Sequence, residues 1–97
     1  MTATDLTGVT VRLPPVLCEL VSCERKIEAS GHTVGDALPD LVRREPGLAL
    51  HLFDDSGALR RLILCFCNRD NIREREDLDR VLRPGDEITI VNSVAGG

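Results

Sequence analysis

A chain of 97 residues, 42% hydrophobic and 29% charged, has the size and balance of one folded domain with a single core, which excludes a disordered chain. A formal net charge of −4 and 2% aromatic residues supply neither the basic field nor the stacking platforms that nucleic acid requires, and the doublets Arg43-Arg44 and Arg60-Arg61 read as solvated surface. No apolar stretch approaches the roughly 20 residues of a membrane span, and no basic segment followed by an apolar one opens the chain, so a cytoplasmic protein is expected, with no nucleic acid and no membrane as partner, and with Cys18, Cys23, Cys65 and Cys67 reduced.

In chain order, Gly8-Val9-Thr10-Val11-Arg12-Leu13 alternates so that Val9, Val11 and Leu13 share one face of a strand, which Pro14-Pro15 ends. The stretch through Cys18 and Ser22 reads as a turn or loop. Residues 25–30 then repeat the alternation with Ile27 and Ala29, and a hairpin with the first strand is the simplest pairing. Thr33 and Asp36 have the spacing of a capping box, with Asp in the place of Glu, and Val34, Leu38, Leu41 and Val42 recur at helical intervals, so the pattern predicts a helix over 34–44. Pro39 opposes it, because an interior proline removes a backbone donor. Either the first turn is loose or the helix begins near Pro39, and Pro46-Gly47 ends it on both readings.

Residues 48–53 predict a short helical turn, and Asp54-Asp55-Ser56-Gly57 a loop. Residues 59–67 predict a strand that is apolar on both faces, with Ile63, Cys65 and Cys67 on one and Leu62, Leu64 and Phe66 on the other. Two readings of that second face follow. It is an open apolar patch continued by Val91 and Val94, with Arg12, Arg60 and Arg61 as a polar rim, or residues 48–53 cover it. A polar turn at Asn68-Arg69-Asp70-Asn71, a short strand at Ile72-Arg73 and a helical turn over 78–82 follow. Pro84-Gly85-Asp86 then turns the chain into a last strand over 87–91, with Ile88 and Ile90 inward. The remaining residues are small and uncharged apart from the terminal carboxylate, which predicts a flexible tail over 92–97 on a domain formed by 1–91. The sum is an α+β fold in which one main helix crosses a mixed sheet of four or five strands.

Few residues offer chemistry of their own. Cys18 and Cys23 have the first spacing of a plant-type iron–sulfur loop, but the next ligand position holds Lys26, and the four cysteines read as small buried hydrophobes rather than as a zinc or redox site. His32 and His51 lack the neighbouring nucleophile and acid of a hydrolase, and no glycine-rich phosphate loop ends in lysine. No metal and no bound cofactor are expected.

Three segments carry a resemblance: Ala29-Ser30-Gly31-His32-Thr33-Val34-Gly35, the strand ending at Asn68 with its polar turn, and Leu82-Arg83-Pro84-Gly85-Asp86-Glu87-Ile88. The fourth is the end, Val94-Ala95-Gly96-Gly97. A final Gly-Gly arises by chance in about one chain in 200, so it gains meaning only with the other three. Together they resemble the MoaD/ThiS-like β-grasp (ubiquitin-like) sulfur carriers, a family that includes the small subunit of molybdopterin synthase, the thiamine-pathway carrier and the carrier of a cysteine-forming route. The long connection over 46–61 is closest to the cysteine-biosynthesis and molybdopterin types. Pro39, Cys65 and Cys67 depart from the family pattern without touching the reacting end.

The resemblance implies that the chain is a sulfur donor and not an enzyme. Its Gly97 carboxylate, ionised and unreactive at neutral pH, must first be adenylated, and an E1-like enzyme using ATP would do so before sulfur replaces AMP to give a thiocarboxylate. Gly96 and Gly97, preceded by Val94 and Ala95, would thread a narrow channel that side chains would obstruct. Leu62, Leu64, Phe66, Val91, Arg12, Arg60 and Arg61 would then meet the partners: the activating enzyme, a sulfur-accepting biosynthetic enzyme such as a cysteine synthase, and a metallopeptidase. Cysteine or secondary-metabolite biosynthesis is the favoured use. A molybdopterin synthase small subunit, or a modifier conjugated to lysines through Gly97, is the alternative.

Overall fold

The computed structural model of the protein describes residues 7–73 and 75–92. Strands β1 (Thr7–Arg12) and β2 (Lys26–Gly31) form the expected antiparallel pair, in register from Thr7 opposite Gly31 to Arg12 opposite Lys26. Their connection is not a loop. It contains helix α1 (Pro15–Val21), which buries Leu17 and Cys18. Pro15 occupies the first helical position, where a fixed φ is already helical and the missing N–H would have had no partner. Ser22, at φ 56, ends the helix in the left-handed conformation, and the Cys23 N–H donates to the Cys18 carbonyl at 3.1 Å. The prolines that stop the strand therefore also start a helix.

Helix α2 (Val34–Arg44) runs straight through Pro39. Its start is fixed by the capping box: Thr33 Oγ1 accepts from the Asp36 N–H at 3.2 Å, and Asp36 Oδ2 accepts from the Thr33 N–H at 3.3 Å. Val34, Ala37, Leu38 and Leu41 face the sheet, while Pro39 is on the exposed side. A Cβ on Gly31 would lie 2.7 Å from the Ala37 nitrogen, so the crossing from β2 into α2 requires glycine there. Asp40, the one buried charged residue among those described, joins the two elements: its Oδ2 accepts from the Ser30 N–H and from Arg44 Nε, both at 2.8 Å, and Arg43 pairs with its other oxygen.

A 3₁₀ turn (Pro46–Leu48) and helix α3 (Ala49–Leu52) follow, burying Leu48 and Leu52 in the main core. Strand β3 (Ile63–Cys67) begins four residues later than expected, because Phe53 bridges Leu59 and the Arg60 N–H donates to the Leu52 carbonyl at 2.8 Å, holding the preceding residues in a loop. Strand β4 (Asp70–Asn71) uses the polar residues read as a turn, and Ile72, expected in a strand, instead points inward after it. A 3₁₀ turn (Arg75–Asp79) stands where a helical turn over 78–82 was expected. Strand β5 (Glu87–Asn92) extends one residue beyond expectation.

The sheet order is β2-β1-β5-β3-β4, with β1 and β5 parallel at its centre and every other pair antiparallel. Ile27, Val11, Ile88 and Cys67 form one inward row, with Cys65 opposite Ile90 in the next. The helices cover this face, giving the β-grasp arrangement that the element order implies. Among the described residues no helix is long and apolar enough to cross a membrane.

Candidate functional site

Side chains alternate across β3 and β5, so the residues between the inward ones face away from the helices. Leu64 sits opposite Val91 and Phe66 opposite Thr89, and the parity continues through Leu62 just before β3. Leu62 is 44% and Val91 37% exposed, with Leu64 and Phe66 half-buried. Residues 48–53 do not cover them, since Leu48 and Leu52 turn into the core on the opposite side. Among the described residues none covers the second apolar face.

Arg12, beside Thr89 on β5, pairs with Glu87 through Nε and Oε2 at 2.6 Å. Arg60 Nε donates to the Leu50 carbonyl at 2.7 Å, tying the loop to α3, and Arg61 projects beside Leu62 and Asn92. The structure thus brings Leu62, Leu64, Phe66, Val91 and Arg12 to the face turned away from the helices, with Arg60 and Arg61 at the end of the sheet beside Leu50 of α3. Val94, Ala95, Gly96 and Gly97 lie outside the described residues. The chain reaches them from Asn92, at the edge of the patch.

The start of β5 is set by contacts that sequence reading did not single out. Asn68, at φ 58, donates its amide to Asp86 Oδ1 at 3.1 Å and accepts the Glu87 N–H at 3.1 Å. Asp86 Oδ2 accepts the Arg83 N–H at 2.9 Å across the Pro84-Gly85 turn, where Gly85 has φ +91. The Arg83 N–H and the Asn68 amide hold the Asp86 carboxyl below its ordinary range. This clasp fixes where β5 enters the sheet and hence where it leaves. An asparagine closing a strand and an aspartate closing a Pro-Gly turn were its only sequence signals.

Three of the four thiols are held protonated by their surroundings. Burial first, then the neighbouring Cys18, pushes the Cys23 thiol up to about 11. Burial, with Cys67 adding to it, pushes Cys65 up to about 12, and Cys67 is raised by burial as well. Thiolates, not thiols, are the nucleophiles and metal ligands, so these three groups are held in their inert form. Among the described residues no three His, Cys, Asp or Glu side chains are grouped to hold a metal.

Comparison with known proteins gives this geometry a family. The chain is 33% identical over 92 residues, 93% of its length and 99% of the relative's, to the sulfur carrier protein CysO of Mycobacterium tuberculosis. The crystal structure of the Amycolatopsis orientalis BexX/CysO complex contains a chain that matches at a TM-score of 0.77 with 32% identity, covering 92% of this chain and 99% of that one. SAMP1 of Haloferax volcanii matches at a TM-score of 0.79 with 29% identity, covering 93% of this chain and 99% of that one. The sequence model of the ThiS family matches residues 11–97, and the chain belongs to that family.

Proposed function

We propose that this chain is a protein-borne sulfur donor whose working group is the Gly97 carboxylate. The observation that carries the reading is its 33% identity, over nearly the whole of both chains, to a sulfur carrier protein, with a family match that extends through residue 97. An E1-like enzyme attaches AMP from ATP to one oxygen of Gly97, releasing pyrophosphate. A sulfur nucleophile then displaces AMP and leaves a thiocarboxylate. Adenylation is necessary because an ionised carboxylate offers no leaving group. The chain acts as co-substrate: its body presents the tail, and acid–base groups, ATP and acceptor all belong to other proteins. A sulfur-accepting enzyme such as a cysteine synthase, with a metallopeptidase downstream, is the partner set that similarity to the cysteine-type carriers favours, in the cytoplasm.

Intact mass after incubation with the activating enzyme, ATP and a sulfide source tests this. The expected result is a gain equal to replacing one oxygen by sulfur, located on the last peptide and absent when Gly97 is deleted. An unchanged mass, with an activating enzyme that modifies its own carrier, would overturn the reading.

A second reading is conjugation to lysines through Gly97, favoured by the likeness to the small archaeal modifier proteins. It uses the same adenylate but ends in an isopeptide bond. Branched Gly-Gly remnants on target lysines would distinguish it from sulfur donation.

A further inference from the structure

Two depressions, of about 560 and 530 Å³, flank the end of β5. Arg12, Arg25 and Lys26 edge the first, over Pro14 and Val91. Arg60 and Arg61 edge the second, over Leu20, Leu50 and Leu62. Neither lining contains an acidic side chain, although the whole chain carries −4. Among the described residues the side chains of Arg25, Lys26 and Arg61 have no ion-pair partner, while Arg12 pairs with Glu87 and Arg60 lies in the field of the Asp54 carboxylate. Leu20 is 59% and Leu50 75% exposed. Among the described residues, three of the five cations in these linings, Arg25, Lys26 and Arg61, are without an ion-pair partner, a field that an outside partner would complement.

We propose that the two depressions form a basic collar that docks onto carboxylate side chains ringing the tail-entry channel of the activating enzyme, with Leu50 and Leu62 seated against apolar side chains between them. This rests on the sulfur-donor reading and specifies its partner. The arrangement of arginine edges over leucine floors has the composition of a protein interface. Nucleic acid fits it poorly, because neither lining holds a Phe, Tyr or Trp to stack a base, and His51 is the one ring in either.

The test is steady-state thiocarboxylation of the full chain by its activating enzyme, with one charge reversed in each depression, Lys26→Glu and Arg61→Glu. All the altered side chains are exposed, and a thermal melt checks folding. Each reversal is expected to raise KM by about tenfold while kcat changes by less than about twofold, because rim charges act on encounter. Arg61→Lys should recover most of the loss, and Arg69→Glu, in the β3–β4 turn outside both depressions, should leave KM unchanged. Raising salt from about 50 to about 300 mM should raise the wild-type KM steeply and that of the double variant little.

Unchanged KM in the reversed variants, with wild type still thiocarboxylated, would overturn the collar and leave the donor reading standing. A wild type that is never thiocarboxylated would overturn both. Displacement of the enzyme by a single-stranded DNA oligomer or by anionic phospholipid vesicles would reassign the collar to a polyanion or a membrane. A salt-sensitive dimer in analytical ultracentrifugation would reassign it to a second copy of this chain.

Discussion

At the scale of single residues, Asp40 shows how one charge holds an element in place. Its carboxylate takes the Ser30 N–H that the end of β2 offers and binds Arg43 and Arg44 one turn further along α2. The Arg43 contact, then the Ser30 N–H, lower its pKa from the ordinary 3.8 to about 2, against the opposing effect of burial. Between those two values the unfolded chain binds more protons than the folded one, so stability rises with pH there. The contribution is fully present above 3.8 and is lost as pH falls through the window toward 2. Because both arginines are largely solvated, the stabilisation is about 1–2 kcal/mol rather than the full value the shift implies. Asp40→Asn should therefore lower the unfolding free energy by about that amount at pH 7 and flatten its decline below pH ~4, which urea titrations across the range would measure. An equal decline in variant and wild type would show that Asp40 is not the group responsible. The raised thiols at Cys23, Cys65 and Cys67 show the opposite effect of burial, which holds these groups protonated at neutral pH.

At the scale of elements, Pro39 is the clearest conflict between local preference and packing. Its ring removes the bond that residue 39 would donate to the Gly35 carbonyl, yet Val34, Ala37, Leu38 and Leu41 still bury fully and the capping box holds the first turn. Burial of four apolar side chains outweighs an interior proline. Pro39 itself is exposed and outside the hydrophobic core, so Pro39→Ala should stabilise the fold by about 1–3 kcal/mol, less than the full propensity difference because proline also restricts the unfolded chain. A calorimetric melting temperature that does not rise would mean that α2 gains from the proline in a way its geometry hides. Periodicity located α2, β1, β2 and β5 because each carries a run of alternating or helically spaced apolar residues. It missed α1, whose seven residues are too few for a period and whose starting prolines equally well end a strand. It also misplaced β3's start and β4, because the bridge from Phe53 to Leu59 and the clasp on Asn68 are tertiary contacts with no local pattern.

At the scale of the whole molecule, the helices lie over one face of a five-stranded sheet, and among the described residues none covers the other face. Leu62, Leu64, Phe66 and Val91 were legible in the sequence because alternation on a strand already apolar on one side leaves the second set unaccounted for. Arg25, Lys26 and Leu20 were not, since they join the same end only once β1, β5 and α1 are assembled. This geometry limits how partners can share the chain. Five residues follow Asn92, and a fully extended peptide of that length reaches about 17 Å. An enzyme that buries the Gly97 carboxylate must therefore bring its own surface within that distance of the end of β5, where the Leu64–Val91 pair lies. On the proposed function a sulfur-accepting protein faces the same restriction, so the two would occupy overlapping ground. Adding the accepting protein should inhibit thiocarboxylation competitively, raising the apparent KM for this chain in proportion to its concentration while leaving kcat unchanged. Leu64→Asp should weaken both partners together without a comparable loss of stability, because Leu64 faces away from the helices that cover the core. A ternary complex of carrier, activating enzyme and acceptor in sedimentation velocity would refute the overlap, and would require one of the two to approach the tail from beyond the sheet.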